Sequence, residues 1–283
     1  MVSIGVVKGA DTVEIAGLGV TIAEPFEVRP GVTLIPGGPA ITADEAAKYS
    51  KDFVHYAAVV RNLPYATVSI RVHVNEGGQK LVESAWNSLW IFHLLSLAAR
   101  RPCCSLYAVS RGWDEVGVSA ANRNIIFNPF APAEIDATSL QWMKDNDQRF
   151  DALTGNELFN TAMRCYGNSH YLFDHDMRVM LLWSGIEGLL SVDAELTRRI
   201  ALYAALMLDG TPEQKVAHFD RVKKAYAIRS KAVHGGGATQ AQLELGYAEA
   251  SDILLILLRR CVELGRVPTA KEMDALAAGA TVA

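Results

Sequence analysis

The chain has 283 residues, of which 50% are hydrophobic and 20% are charged. This balance excludes an intrinsically disordered chain, and the length favours two domains over a single hydrophobic core. The formal net charge is −4, from 27 basic and 31 acidic residues. This charge excludes a protein that attracts nucleic acid over its whole surface, so any contact with RNA must be local.

The first ten residues, the apolar runs and the cysteines indicate a soluble cytoplasmic protein. Residues 1–10 contain neither the basic and apolar regions of a signal peptide nor an Arg-rich transit pattern. The apolar run at residues 253–258 is far shorter than the roughly 20 residues of a membrane-spanning helix. The cysteines have no C-x-x-C spacing, and we expect reduced, packed thiols without a disulfide framework or a zinc site. They are Cys103, Cys104, Cys165 and Cys261.

The first third of the chain is predicted to form strands and turns followed by a helix. Residues 12–22 are β-branched and interrupted by glycines, and residues 29–39 contain three prolines and three glycines, which indicates a turn-rich β region. Thr42 and Glu45 have the Thr-x-x-Glu spacing of a capping box. Because apolar residues then recur at helical intervals, we expect a helix that continues to about Asn62.

A strand, a long helix and a second strand are predicted next. Residues 68–74 alternate between apolar and polar side chains, as in a half-buried strand. Residues 79–100 have the apolar spacing of one long helix, and residues 103–110 are typical of a strand. These elements define a mixed α/β domain over residues 1–138, for which we consider a role as a sensor or regulator.

The C-terminal region is predicted to be entirely helical, because strand signals end at residue 139. Five helical stretches follow, joined by short breaks that contain turn or cap residues, and short breaks make successive helices antiparallel neighbours. They cover residues 156–166, 175–190, 195–208, 213–233 and 240–264. The sequence therefore predicts an α+β chain with an all-α bundle over residues 139–283.

The candidate chemistry lies at the end of the fourth predicted helix, where Arg229 precedes His234 and a run of glycines follows. Glycine terminates helices in the left-handed conformation, which places His234 in the last turn, where the helix dipole favours the protonated imidazole. The two residues are about 140° apart around a regular helix, so they share a target only if the last turn loosens or both side chains point into one cleft.

The segment R-S-K-A-V-H-G, residues 229–235, resembles the signature of the Apea-like branch of the HEPN superfamily. Residues 181–190, an apolar helix with an embedded glutamate, and residues 198–208 resemble the helices that precede that signature. Members of this superfamily are helical, usually dimeric and often metal-independent endoribonucleases, with an arginine followed within about six residues by a histidine. The resemblance does not extend to the N-terminal domain.

The resemblance implies RNA cleavage by transesterification without a metal ion or another cofactor. His234 would transfer the proton of the 2′-hydroxyl or of the leaving oxygen, and Arg229 would stabilise the phosphorane charge, with Ser230 orienting the pair. It also implies a homodimer with two motifs facing one cleft, RNA as the substrate, no DNA or membrane partner, and a toxin-like or abortive-infection role in antiviral defence.

A non-catalytic alternative remains open, namely a HEPN-like module for dimerisation or for nucleotide or RNA binding. In that case Arg229 pairs with Glu187 inside the bundle, and such pairing is also the favoured role of Glu187 over direct proton transfer. Arg198, Arg199 and Lys231 are candidate contacts for RNA phosphates, although charged residues on an amphipathic helix more often form a solvated face.

The remaining histidines are given structural interpretations. His170, Asp174, His175 and Asp176 lie close in sequence, but their spacing matches no metal site, so no metal ligand set is expected. His93 lies in an apolar helix and is expected in the core or at an interface.

Overall fold

The computed structural model describes residues 4–122, 131–233 and 237–279 and confirms the α+β class, with 57% helix and 15% strand. Contacts between Cα atoms divide the chain into two units, Met1–Asp147 and Gln148–Ala283. The sequence places the boundary after residue 138, near the start of helix α5 (Ala137–Leu153). The division by contacts, between Asp147 and Gln148, lies inside α5.

The N-terminal unit contains a six-stranded antiparallel sheet among its described residues, in the order β3-β4-β5-β1-β6-β7. A separate parallel pair joins β2 to β8. The strands are β1 (Thr12–Leu18), β2 (Val20–Thr21), β3 (Phe26–Arg29), β4 (Val32–Pro36), β5 (Val68–His73), β6 (Cys104–Arg111), β7 (Val116–Ala120) and β8 (Ala133–Glu134).

The alternation predicted for β5 explains its position at the centre of this sheet. Ile70 and Val72 are fully buried, and they pair across the ladder with Ile15 and Val13 of β1. The intervening polar residues are exposed except Ser69, whose hydroxyl donates a hydrogen bond to a backbone carbonyl at 2.6 Å. One face of the strand therefore contributes to the core, as the sequence predicts.

The helices of the N-terminal unit are shorter than predicted. They are α1 (Ala43–Tyr49), α2 (Phe53–Asn62), the 3₁₀ turn Leu63–Tyr65, α3 (Gly78–Ser88) and α4 (Ile91–Ala98). The capping box of Thr42 and Glu45 is confirmed. The single helix up to Asn62 is wrong, because the Asp52 carboxylate accepts a hydrogen bond from the backbone N–H of His55 and starts a second helix.

The long helix predicted over residues 79–100 is also wrong. The backbone N–H of Leu89 donates to the carbonyl of Trp86 at 3.2 Å, and that of Trp90 donates to Asn87 at 3.3 Å. These bonds span three residues rather than four, so the chain tightens and turns between α3 and α4. An apolar pattern that continues through such a turn does not reveal it.

The C-terminal unit contains the five predicted helices, with bounds close to those expected. They are α6 (Glu157–Ser169), α7 (His175–Leu190), α8 (Leu196–Met207), α9 (Pro212–Val233) and α10 (Gln240–Leu264). The end of α5 and a further helix, α11 (Ala270–Ala277), belong to the same unit. In the described part of the chain, no helix has both the length and the apolar character needed to cross a membrane.

Helix α7 forms the centre of this bundle, packing against α6 and α10 and also contacting α9. Its residues Trp183 and Ile186 are completely buried. Gly185 permits the close approach of α6, because a side chain there would place its Cβ only 2.8 Å from the Cβ of Cys165. The side chains on the remaining face of α7 therefore reach α9, where the candidate site lies.

Candidate functional site

Arg229 lies in the penultimate turn of α9 and pairs with Glu187 of α7, as the sequence predicts. Its Nη2 is 3.1 Å from Oε1 of Glu187 and donates a hydrogen bond of 3.4 Å to Oε2. The side chains are 23% and 21% exposed, so water still reaches both. The pair joins two helices without withdrawing the arginine from solvent.

An aromatic pair lies beside this ion pair. The guanidinium Cζ of Arg229 is 5.4 Å from the ring centroid of Tyr226, within the range of a cation–π contact. The rings of Tyr226 and Trp183 meet edge to face, with centroids 5.0 Å apart and an interplanar angle of 88°. Burial, followed by the negative charge of Glu187, raises the pKa of Tyr226, so the phenol is neutral near pH 7.

Arg229 also lines an open cleft of about 720 Å³ within the C-terminal unit. The wall formed by α9 contributes Tyr226, Arg229 and Ser230, and the other wall is the turn before α8 with the first turn of that helix. The lining residues of that second wall are Asp193, Ala194, Glu195, Leu196, Thr197 and Arg198.

The first turn of α8 adds positive potential to the cleft, because the backbone N–H groups at a helix start carry partial positive charge. Glu195, the N-cap residue, has a left-handed backbone with φ of 50°, and its side chain makes no capping hydrogen bond within the described chain. Asp193 and Glu195 also bring carboxylates to the rim, where both are well exposed. The cleft is thus mixed in charge, with its cations at Arg198 and Arg229.

The structure separates the predicted site residues into two groups. Ser230 and Arg198 line the cleft with Arg229, and Arg198 is 77% exposed. Arg199 does not line the cleft: its Nη2 donates to the hydroxyl of Tyr203 at 2.5 Å and to Asp274 at 3.0 Å, and its Nη1 is 3.5 Å from Asp193 at the rim. A guanidinium committed to protein partners in this way is better suited to bracing α8 and α11 than to contacting RNA.

Of the two remaining predicted residues, one is described by the structure and one is not. Lys231 is exposed in the last turn of α9. His234, the predicted proton-transfer residue, lies outside the described residues, as do the two glycines that follow it.

Sequence reasoning missed the aromatic support and the acidic rim. Tyr226 is three residues before Arg229, a spacing that places both on one helix face, and this was the available signal. Asp193 and Glu195 gave no comparable signal, because their position depends on left-handed backbone at Ser191 and Glu195, with φ of 50° at each.

The two histidines of the sequence-adjacent group, His170 and His175, both contact α10. His170 is buried and shares a short hydrogen bond with the hydroxyl of Tyr247, while His175 contacts Gln240 at 2.9 Å. Burial, together with the charge of Arg178, lowers the pKa of His170 to about 3. Among the residues that the structure describes, no three histidine, cysteine or carboxylate side chains are arranged to hold a metal ion.

His93 is half-buried in α4, 5.2 Å from the ring of Trp90. Burial lowers the pKa of His93 to about 4, so its imidazole is neutral near pH 7. The four cysteines are free thiols, and burial raises the pKa of Cys261 to about 12, which makes it unreactive.

In comparisons with protein-family models, with curated proteins and with solved structures, none matches this chain. The function is therefore inferred from the residues of the cleft and from the sequence pattern around Arg229.

Proposed function

We propose that the C-terminal unit is a metal-independent endoribonuclease that binds an RNA phosphate at Arg229. One observation carries this proposal: Arg229 lines an open cleft while donating hydrogen bonds, within the described chain, from Nη2 alone. A guanidinium has five N–H donors, and although Nε of Arg229 is buried, Nη1 retains its donors for a phosphate. The R-S-K-A-V-H-G segment, with its resemblance to HEPN ribonucleases, supplies the expected proton-transfer residue.

The proposed reaction is an in-line transesterification. The 2′-hydroxyl oxygen attacks the adjacent phosphorus while its proton passes to a base, and the bond from phosphorus to the 5′-oxygen breaks. The departing 5′-oxygen receives a proton, leaving a 2′,3′-cyclic phosphate and a 5′-hydroxyl. His234 would perform one of these proton transfers, and Arg229 would stabilise the negative charge that develops on the phosphorane.

Neighbouring polar groups have secondary roles in this proposal. Ser230 would orient the phosphate from the same wall of the cleft, and the first turn of α8 would favour its charge. Arg198 and Lys231, both exposed, would contact flanking phosphates of the strand. Glu187 would hold Arg229 rather than transfer a proton.

We also propose a homodimer in which α9 contributes to the interface, so that two copies of the motif face one cleft. Exposed apolar side chains at the end of α9 and near the start of α10 support an interface in this region, since Val233 is 41% exposed and Leu245 is 56% exposed. The toxin-like or defence role remains part of the same proposal, with the N-terminal unit restraining or activating the nuclease.

A second candidate is a non-catalytic module that binds a nucleotide or RNA. The observation in its favour is the ion pair with Glu187, because an arginine already joined to a carboxylate stabilises the bundle without any chemistry. In that case the cleft binds phosphate groups and leaves the strand intact.

The two functions are distinguished by incubating the full chain with end-labelled single-stranded RNA in excess chelator and determining the new termini. The proposal predicts cleavage with 2′,3′-cyclic phosphate ends, since neither a metal ion nor a metal-bound water takes part. Binding of the RNA without cleavage supports the second candidate. Cleavage that requires a divalent metal contradicts the proposed mechanism.

A further inference from the structure

Arg229 has two supports, one ionic and one aromatic, and they arrive from different helices. Glu187 of α7 holds Nη2, and the ring of Tyr226, one turn earlier on α9, lies against the guanidinium. Among the described residues, these are the side chains that contact the Arg229 guanidinium. Its orientation toward the cleft therefore depends on a carboxylate and an aromatic ring.

The aromatic support is itself fixed. Tyr226 is only 7% exposed, and its ring meets that of Trp183, which is completely buried. On α7, Trp183 and Glu187 are four residues apart, and on α9, Tyr226 and Arg229 are three apart, so each helix presents two neighbouring side chains on one face. The two faces meet with ring against ring and charge against charge.

The ionic support alone leaves the guanidinium free to rotate. The Nε atom of Arg229 and the Oε1 atom of Glu187 are buried and have no hydrogen-bond partner in the described chain. The contact is therefore not the bidentate arrangement that fixes a guanidinium plane. A flat ring beside the guanidinium supplies the missing restraint.

We infer that Tyr226 is a positioning residue, whose ring orients the Arg229 guanidinium toward a phosphate in the cleft. This inference rests on the proposed function for its effect on catalysis, but the orientation of Arg229 is measurable without it. The hydroxyl of Tyr226 interacts with Glu187, but the inferred role requires only the ring, because a phenyl ring offers the same face to the cation.

The test compares Tyr226→Phe with Tyr226→Leu in the full chain. We expect Tyr226→Phe to retain kcat within about twofold, and Tyr226→Leu to lower kcat about 10- to 100-fold with KM for RNA nearly unchanged, because misplaced groups lose rate rather than ground-state binding. Tyr226→Met, similar in volume but flexible, serves if the leucine variant does not fold. Tyr65→Leu is the control, since it removes an arginine–tyrosine contact of 5.3 Å, that with Arg61, in the N-terminal unit, whereas the cleft is lined by residues of the C-terminal unit.

A second measurement separates this inference from the proposed function. The Nε–H signal of Arg229, assigned in ¹⁵N NMR spectra by its loss in Arg229→Lys, should be sharp in the wild-type and Tyr226→Phe proteins and lost to exchange in Tyr226→Leu. If the wild-type protein does not cleave RNA but the signal still depends on the ring, the positioning role stands and the ribonuclease fails. An unchanged Arg229 signal in folded Tyr226→Leu overturns the inference, whatever happens to kcat.

Discussion

Two arginines on α9 make ion pairs of different kinds. Arg221 contacts two carboxylates of α10, with its Nε 2.5 Å from Glu249 and its Nη1 2.8 Å from Asp252. Arg229 contacts a single carboxylate, that of Glu187, at 3.1 Å, and it lines the cleft beside α8. Arg221 is thus paired with two negative charges, whereas Arg229, two turns later on the same helix, is paired with one.

This difference indicates which arginine is available to an anion. Two carboxylates more than neutralise the Arg221 guanidinium and occupy donors on both sides of it, so a phosphate gains little there. At Arg229 one carboxylate leaves donors uncommitted, so a phosphate would bind there without breaking the link between α7 and α9. We therefore propose that Arg221 stabilises the fold and that Arg229 binds the ligand.

The largest expected effect comes from His234→Ala, which removes the proposed proton-transfer residue and leaves both arginines of α9 in place. We expect cleavage to be abolished, because no other group at this end of the helix is assigned the proton transfer. The melting temperature should change little, since the proposal gives this histidine a role in proton transfer and none in packing. Activity and thermal unfolding are measured on the same preparation, and a variant that unfolds shows that the histidine is structural.

The next prediction asks whether Arg229 and His234 act within one chain or between two. Arg229→Ala and His234→Ala proteins, each inactive, are unfolded and refolded together so that mixed dimers form. If the site is built between chains, activity should return to about a quarter of wild type, because about half of the dimers are mixed and each has one intact pair of two. A mixture as inactive as its parents, with subunit exchange demonstrated, requires both residues from the same chain.

A smaller effect is the loss of folding stability at low pH, which limits the range in which the activities of the arginine variants can be compared. The pKa of buried His170 is lowered to about 3, so between its ordinary value and pH 3 the unfolded chain binds a proton that the folded chain does not. Stability should therefore fall as the pH falls below about 6.5, and His170 alone should account for roughly 2–3 kcal/mol at pH 4.5. Activity profiles below that range would include unfolding.

Denaturant unfolding of the wild-type and His170→Gln proteins at pH 7 and pH 4.5 tests this effect. The variant should lose less stability on acidification, because glutamine does not titrate. Equal losses in the two proteins would show that His170 is not kept neutral by the fold.

The helices of the C-terminal unit could be predicted because each repeats its apolar spacing over several turns and ends at turn or cap residues. The division of residues 79–100 into α3 and α4 could not, since the hydrogen bonds of Leu89 and Trp90 change the backbone while the apolar pattern continues. The apolar periodicity of a segment predicts which side chains are buried, but it does not reveal a single tightened turn of the backbone.

The candidate site was predictable to the same limited extent. The pairing of Arg229 with Glu187 follows from placing a carboxylate in an apolar helix, where it needs a partner. The cleft does not follow, because it depends on left-handed backbone at Ser191 and Glu195, which are not glycines and give no sequence signal. The aromatic support at Tyr226 was predictable in part. The sequence shows the three-residue spacing of Tyr226 and Arg229, but it does not show the contact of Tyr226 with Trp183.

The most direct test of the account compares Arg229→Ala with Arg221→Ala in RNA cleavage per folded molecule. We predict that Arg229→Ala lowers kcat per folded molecule about 10²- to 10³-fold, as expected when a transition-state charge loses its donor, and that it also lowers the free energy of unfolding because Glu187 loses its partner. Arg221→Ala should keep kcat within about twofold while lowering the free energy of unfolding by about 1–2 kcal/mol, because Glu249 and Asp252 lose their partner. Equal losses of kcat in the two variants, or full activity in Arg229→Ala, would contradict the assignment of the cleft as the catalytic site.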